Sequence, residues 1–347
     1  NPAPRLGEAL GSLCQELYGT SEVVIYFPPT TFFLGMCRNY KNVKEMKEWT
    51  DLKVIDSSDS NVSKLVFTNG TAVAEAVLYK YGTYEERTVI CCSTQSGCPV
   101  GCRFCGAGDY FIKSLSAVEI VEQVDACFEL RGISPALVKR GQIMFMSMGE
   151  PMLNWKNLSE AIHVLNKKYP NFALLISTIG PKIPYEVWEN LIRTAQHIDK
   201  IGLQFSVHEP TDELRDVLIP FKSKLPLSEI ARIGSWFHRE TGRQAFFNYC
   251  AHELNTEDYH ADLLANMFDP ASFQCTVSVI CERDESVAAA NARQERLATD
   301  FMAKMSARGF STRTFNPAGQ DDIGGGCGQL WYVQDFMRSH SQLAKPS

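Results

Sequence analysis

The sequence predicts an α/β fold of about six successive βα units, wound as a full or partial barrel or as a doubly wound sheet. Three observations predict it. From residue 115 onward, short β-rich runs alternate with longer stretches whose apolar residues recur at helical spacing. Strands joined by crossover helices pair in parallel. A cysteine-rich loop, Cys98-Pro-Val-Gly-Cys102-Arg-Phe-Cys105, follows the strand that opens the series. In such folds ligands collect at the carboxyl ends of the strands.

Residues 1–60 read as an N-terminal extension. Ala9–Leu17 has the pattern of a short amphipathic helix, and Glu22–Tyr26 that of a strand ended by Pro28-Pro29. Between Arg38 and Lys53, Lys41, Lys44 and Lys47 fall at three-residue spacing, as on a basic helical face. Glu45 and Glu48 between them favour a solvated face over a nucleic-acid contact. Residues 61–92 read as a lead-in. Lys64–Thr68 and Ala72–Tyr79 flank Asn69-Gly70, a hairpin signal, and Thr88–Cys92 is a third strand.

Residues 93–335 carry the repeating units. Ser116-x-x-Glu119 is a capping box opening the helix Ala117–Arg131. The strands that follow are Gln142–Met146, Ala173–Ser177, Ile201–Val207, Gln244–Asn248, Cys275–Ile280 and Ser311–Phe315. The helices between them are Leu158–Lys167, Tyr185–Gln196, Leu227–Thr241, Glu257–Met267 and Val287–Arg308.

Composition narrows the function classes. The chain has 347 residues, 45% hydrophobic and 21% charged, enough for one large domain with a small appendage. No run of 18 apolar residues exists, so no membrane span is expected, and no signal peptide opens the chain. Twelve cysteines in a chain this long fit a reducing cytoplasm better than a secreted disulfide framework. The net charge of −6 and a pI near 5.7 count against a broad phosphate-binding surface.

The loop at residues 98–105 carries the strongest chemistry. Three thiolates so close in sequence suit a [4Fe–4S] cube, leaving one iron free for a small molecule. Structural zinc asks for a second ligand pair, and no second knuckle follows. The spacing, with Phe104 before the last cysteine, resembles the radical S-adenosylmethionine (SAM) superfamily. Other segments narrow the resemblance to its RlmN/Cfr-type methyl synthase branch, which methylates adenine carbons of RNA. They are Met148-Gly-Glu-Pro-Met-Leu-Asn154, Leu175-Ile-Ser177-Thr-Ile-Gly180, Ser206-Val-His208-Glu-Pro-Thr-Asp212-Glu-Leu-Arg215 and Cys327-Gly-Gln-Leu330. The resemblance as a whole covers about residues 64–332.

The resemblance implies a partial (β/α)6 radical-SAM barrel with a small N-terminal β/α extension. It implies that Cys98, Cys102 and Cys105 hold the cluster, and that Gly149, Glu150, Ser177 and Ser206 help hold SAM. It implies that Cys327 accepts a methyl group and carries it as a radical to an unreactive sp2 carbon. Two SAM molecules are then used per turnover. Glu75 would take the proton from the substrate carbon, and Cys91 would close a disulfide on Cys327 to free the product. Cys92 stands as an alternative to Cys91 or as a packing residue. An electron donor such as flavodoxin or ferredoxin is implied. Cys127, Cys250, Cys275 and Cys281 read as core. His208 and His252 read as structural before acid–base, and Arg215 and Arg313 as surface residues.

The chain also departs from that branch. Residues 1–60 are too short for its N-terminal RNA-binding domain. Ile280-Cys-Glu-Arg-Asp284 stands where the branch has a Pro-Trp-Asn-Pro-like run. Ala251-His-Glu-Leu-Asn255-Thr replaces its Asp-Gly-Val-Asn-Asp loop. With the acidic balance, these changes weaken the expectation of RNA. They keep open the same chemistry on a small heteroaromatic or nucleoside, or on a peptide. A non-catalytic iron–sulfur protein is the reading from another class.

Overall fold

The computed structural model describes residues 37–39, 46–279, 287–314, 323–324 and 329–339. Its centre is an eleven-stranded sheet. Five strands form an antiparallel meander: Cys37–Asn39 (β1), Asp51–Asp56 (β2), Val62–Asn69 (β3), Ala72–Lys80 (β4) and Arg87–Cys92 (β5). A separate ribbon pairs Gln95–Gly97 (β6) with Phe111–Ser114 (β7). The large sheet then continues in parallel through Arg140–Phe145 (β8), Phe172–Thr178 (β9), Ile201–Ser206 (β10), Ala245–Ala251 (β11), Phe273–Val279 (β12) and Thr312–Thr314 (β13).

The crossovers carry the helices Ala117–Arg131 (α1), Trp155–Lys168 (α2), Tyr185–His197 (α3), Asp212–Leu218 (α4), Leu227–Thr241 (α5), Asp258–Met267 (α6) and Val287–Ala307 (α7), and Trp331–Ser339 (α8) follows the last strand. Six crossovers link seven parallel strands in sequential order, as the alternating pattern requires. The capping box forms as expected. Ser116 Oγ accepts from Glu119 N at 3.1 Å, and Glu119 Oε2 accepts from Ser116 N at 2.8 Å.

Strand alternation sorts the side chains into two layers. On β9 and β10, Leu174, Ile176, Leu203 and Phe205 are fully buried against the helices. Their neighbours Ser177, Gly202 and Ser206 are only half-buried and face the inner side of the curved sheet. This inner layer is where ligand chemistry has room.

Three expectations change. The basic helical face between Arg38 and Lys53 does not form where the chain is described. Arg38 lies in β1 and Lys53 in β2, while Lys41 and Lys44 fall outside the described residues. Leu52, Val54 and Ile55 are buried in β2, so strand pairing with β3 outweighs the lysine spacing. The turn of the β3–β4 hairpin is Gly70-Thr71, one place later than the sequence suggests, with Gly70 at φ +58°. The helix α4 escapes the periodicity because seven residues are too few to show a helical period. Ala9–Leu17 and Glu22–Tyr26 lie outside the described residues.

Polarity places the hairpin tip. β4 runs antiparallel to β5, so β4 begins at the end of the sheet where β5 and the parallel strands finish. Val73 N there donates to Ser96 Oγ at 2.9 Å. Among the described residues no helix is long and apolar enough to cross a membrane.

Candidate active site

The loop with Cys98, Cys102 and Cys105 is an excursion from the β6–β7 ribbon. Cys98 N donates to Tyr110 O at 2.8 Å, Cys105 N to Cys102 O at 3.1 Å, and Arg103 N to Leu218 O at 3.0 Å. Gly97 has φ +78°, and a Cβ there would stand 2.2 Å from Tyr110 O. Only glycine lets the ribbon close so tightly before Cys98. The three cysteines are half-buried. Burial pushes the Cys98 and Cys102 thiols up, and the charge of Cys105 adds to both.

Among the described residues no group of three or more His, Cys, Asp or Glu side chains is placed to hold a single metal ion. A cube binds each thiolate at its own iron, so it asks for convergence without contact. Three soft thiolates on one short loop, held by backbone hydrogen bonds at Cys98, Arg103 and Cys105, fit that group.

The Gly149-Glu150 turn ends β8 and is stitched to this loop. Glu150 N donates to Gln95 Oε1 at 2.8 Å, and Gly97 N to Met148 Sδ at 3.2 Å. Gly149 has φ +99°, and a Cβ there would lie 2.7 Å from Gln95 N. The Glu150 carboxylate accepts from Thr178 Oγ1 at 2.5 Å, Ile179 N at 2.9 Å and Met152 N at 3.0 Å. Burial nevertheless pushes its pKa up to about 7, against those hydrogen bonds. A native group protonated between its unfolded value of 4.5 and about 7 holds more protons than the unfolded chain. Stability therefore falls as pH rises through that window. Metal-free Glu150→Gln is expected to lose roughly 3 kcal/mol of this dependence, read from urea midpoints at pH 5 and pH 8.

Glu75 and Cys91 share the inner face. Glu75 pairs across with Val66, while Val77, two residues on, pairs with both Lys64 and Cys91. Paired residues point the same way, so Lys64, Glu75 and Cys91 line one surface. Glu75, expected either outward or functional, is buried and pairs with fully buried Lys64 at 3.1 Å. Burial raises the Glu75 pKa and lowers that of Lys64, while their mutual attraction opposes both shifts. Cys92 points to the opposite, helix-facing side, buried close to Cys127.

Ser177 and Ser206 sit at the ends of β9 and β10 on the same inner face. Ser177 Oγ accepts from Gln204 Nε2 at 3.2 Å. Beneath them Arg215, expected at the surface, is fully buried. Its guanidinium donates to Ile179 O at 2.5 Å, Ser206 O at 3.0 Å and Leu225 O at 3.1 Å. Burial lowers its pKa only to about 10, so it stays cationic at neutral pH, within electrostatic reach of Cys102 and Glu150. His208 has φ +64°, sets its ring edge-on to Phe104 at 5.3 Å, and is held neutral by burial at a pKa of about 3. His252 is bound to Glu209 at 2.8 Å, a buried structural pairing.

Cys327 lies outside the described residues. Its flanks do not. Gly324 O accepts from Lys64 Nζ at 2.5 Å, and the Tyr332 ring lies 4.8 Å from Lys53 Nζ. Sequence reasoning missed Lys64, Gln95, Thr178 and Arg215 as contributors to the site. No motif spacing singles out their roles, because each acts by contact across the fold.

Comparison with known proteins follows the same lines. The radical SAM superfamily profile matches residues 92–240. A Thermus thermophilus protein named "Probable dual-specificity RNA methyltransferase RlmN" is 30% identical over 291 residues, covering 82% of this chain and 78% of that relative. A Corynebacterium glutamicum protein of the same name is 28% identical over 298 residues, covering 80% and 76%. The crystal structure of a radical SAM methyltransferase from Sphaerobacter thermophilus superposes with a TM-score of 0.67 at 25% identity, covering 81% of each chain. The superfamily works with a [4Fe–4S] cluster and SAM, and this chain is a methyltransferase of that kind. The fold, the spacing of the three cysteines and the relatives agree: the chain belongs to the RlmN-type branch of the radical SAM superfamily.

Proposed function

We propose that the chain methylates an sp2 carbon of an adenine in RNA. Cys98, Cys102 and Cys105 would hold the cluster, and Gly149, Glu150, Ser177 and Ser206 the SAM. The cluster and SAM, when bound, supply a methyl group from one SAM and a 5′-deoxyadenosyl radical from a second. Cys327 carries the methyl carbon to the base. Glu75 would remove the proton from the substituted ring carbon, and the unpaired electron left on the ring would pass back to the cluster. Cys91 attacks the Cys327 sulfur, and the resulting disulfide releases the methylated base. An external thiol then reduces that disulfide, and a flavodoxin or ferredoxin supplies the electron for the radical.

One observation carries this reading: Glu75 and Cys91 line the same inner surface, β4 is tied at Val73 and Glu75 to Ser96 and Ser93 ahead of the cysteine loop, and Lys64 beside Glu75 holds Gly324. Mass spectrometry of the purified protein tests it. A methyl group on the peptide containing Cys327, absent from Cys327→Ala, is the expected result. An unmodified peptide in active protein overturns it.

The net charge of −6 favours a second reading, the same chemistry on a small heteroaromatic molecule or nucleoside. Binding to transfer and ribosomal RNA across a salt series separates the two. A phosphate binder weakens steeply with salt, and no salt-sensitive binding favours the small substrate.

A further inference from the structure

We propose that Lys64 is a positioning residue of the reaction, tying the segment that leads into Cys327 to the strand that carries Glu75. The inference rests on the reading above for the role of Cys327, but its evidence is independent of it. Lys64 is fully buried, which an ammonium tolerates only with its donors occupied. Its Nζ donates to Glu75 Oε1 at 3.1 Å and to Gly324 O at 2.5 Å, and it lies 5.8 Å from the Tyr332 ring centroid. A single cation thus bridges β4, the chain three residues before Cys327, and the helix that follows it.

The arrangement is specific. Glu75 Oε2 is buried with no hydrogen-bond partner among the described residues. Lys64 therefore engages one carboxylate oxygen and leaves the other for chemistry on the inner face. Lys53 sits over the same Tyr332 ring at 4.8 Å, and β2 pairs it in register with Val66, opposite Glu75. Two lysines and one aromatic ring hold the tail of the chain against the meander. Lys64 touches both Glu75 and the backbone before Cys327. Its removal should therefore free the tail without touching the cluster loop.

Hydrogen–deuterium exchange of the full chain tests this without any assay of turnover. In Lys64→Met, amides in the peptide covering 323–334 should exchange faster by roughly tenfold, with β9, β10 and β11 unchanged. If that variant does not fold, Lys64→Met combined with Glu75→Gln removes both buried charges. The tail should still exchange fast, because methionine cannot donate to Gly324 O. A wild-type rate in the 323–334 peptide of either variant overturns the proposal.

A second readout separates positioning from bulk stability. Lys64→Arg keeps a donor and should recover most of kcat. Lys64→Met, where folded, should lose kcat by roughly tenfold with KM unchanged. A loss shared equally by Lys64→Arg and Lys64→Met counts against positioning. An unmethylated Cys327 in wild-type protein sinks the functional reading and leaves the exchange result standing. Unchanged exchange in a protein with methylated Cys327 sinks the role of Lys64 alone.

Discussion

Cys91→Ala is expected to stop turnover after covalent capture of the substrate, and Cys92→Ala to leave turnover near wild type. The two neighbours differ only in the face of β5 they occupy. Cys91 pairs with Val77 on one side and Met144 on the other, and so stands in the inner layer with Glu75. Cys92 faces the helices, packed near Cys127 in the core. Its thiol is pushed far up by burial, so it offers no thiolate to a substrate adduct. With Cys91 in the proposed resolving role, its loss would leave Cys327 no means of releasing the product, and adduct should accumulate. Denaturing mass spectrometry after incubation with substrate should find protein heavier by one substrate in Cys91→Ala and not in Cys92→Ala. The opposite pattern would exchange their roles. Cys92→Ala should instead cost stability, about 1–2 kcal/mol for a filled core site.

Arg215→Met is expected to destabilise the fold by on the order of 4 kcal/mol, a large share of a typical domain's roughly 5–15 kcal/mol. The guanidinium binds the ends of three chain segments through the carbonyls of Ile179, Ser206 and Leu225. Methionine fills the space but leaves those acceptors dry and unpaired. The cation also sits within electrostatic reach of Cys102 and Glu150, so its loss raises the cost of thiolates there. The urea midpoint should fall, and the variant should bind iron more weakly than a control with matched stability. A variant with wild-type midpoint would show that the carbonyls are solvated and that Arg215 is dispensable.

Much of this is legible in the letters alone. The six crossovers follow from periodicity, and helices Ala117–Arg131 and Leu227–Thr241 end where glycines put them. The cysteine loop and Gly149-Glu150 announce themselves by spacing. What the letters conceal is contact. Arg215 looks like any helix arginine, yet α4 is short and its side chain turns under the strand ends. Lys64 looks like a strand lysine, yet register brings it opposite Val77 and beside Glu75. Cys91 and Cys92 are indistinguishable until pairing assigns their faces. Long-range burial of charge depends on which surfaces meet, and a local pattern does not encode that.

The direction of the meander has a practical corollary. The Gly70-Thr71 tip stands at the end of the sheet where β5 and the parallel strands finish, the end at which ligands collect in such folds, whereas the bend at Gly82–Glu86 lies at the far end of the same strands. A reporter peptide spliced into the first would fold and yet bar the entrance. Spliced into the second, it would ride on the back of the enzyme and leave admission free.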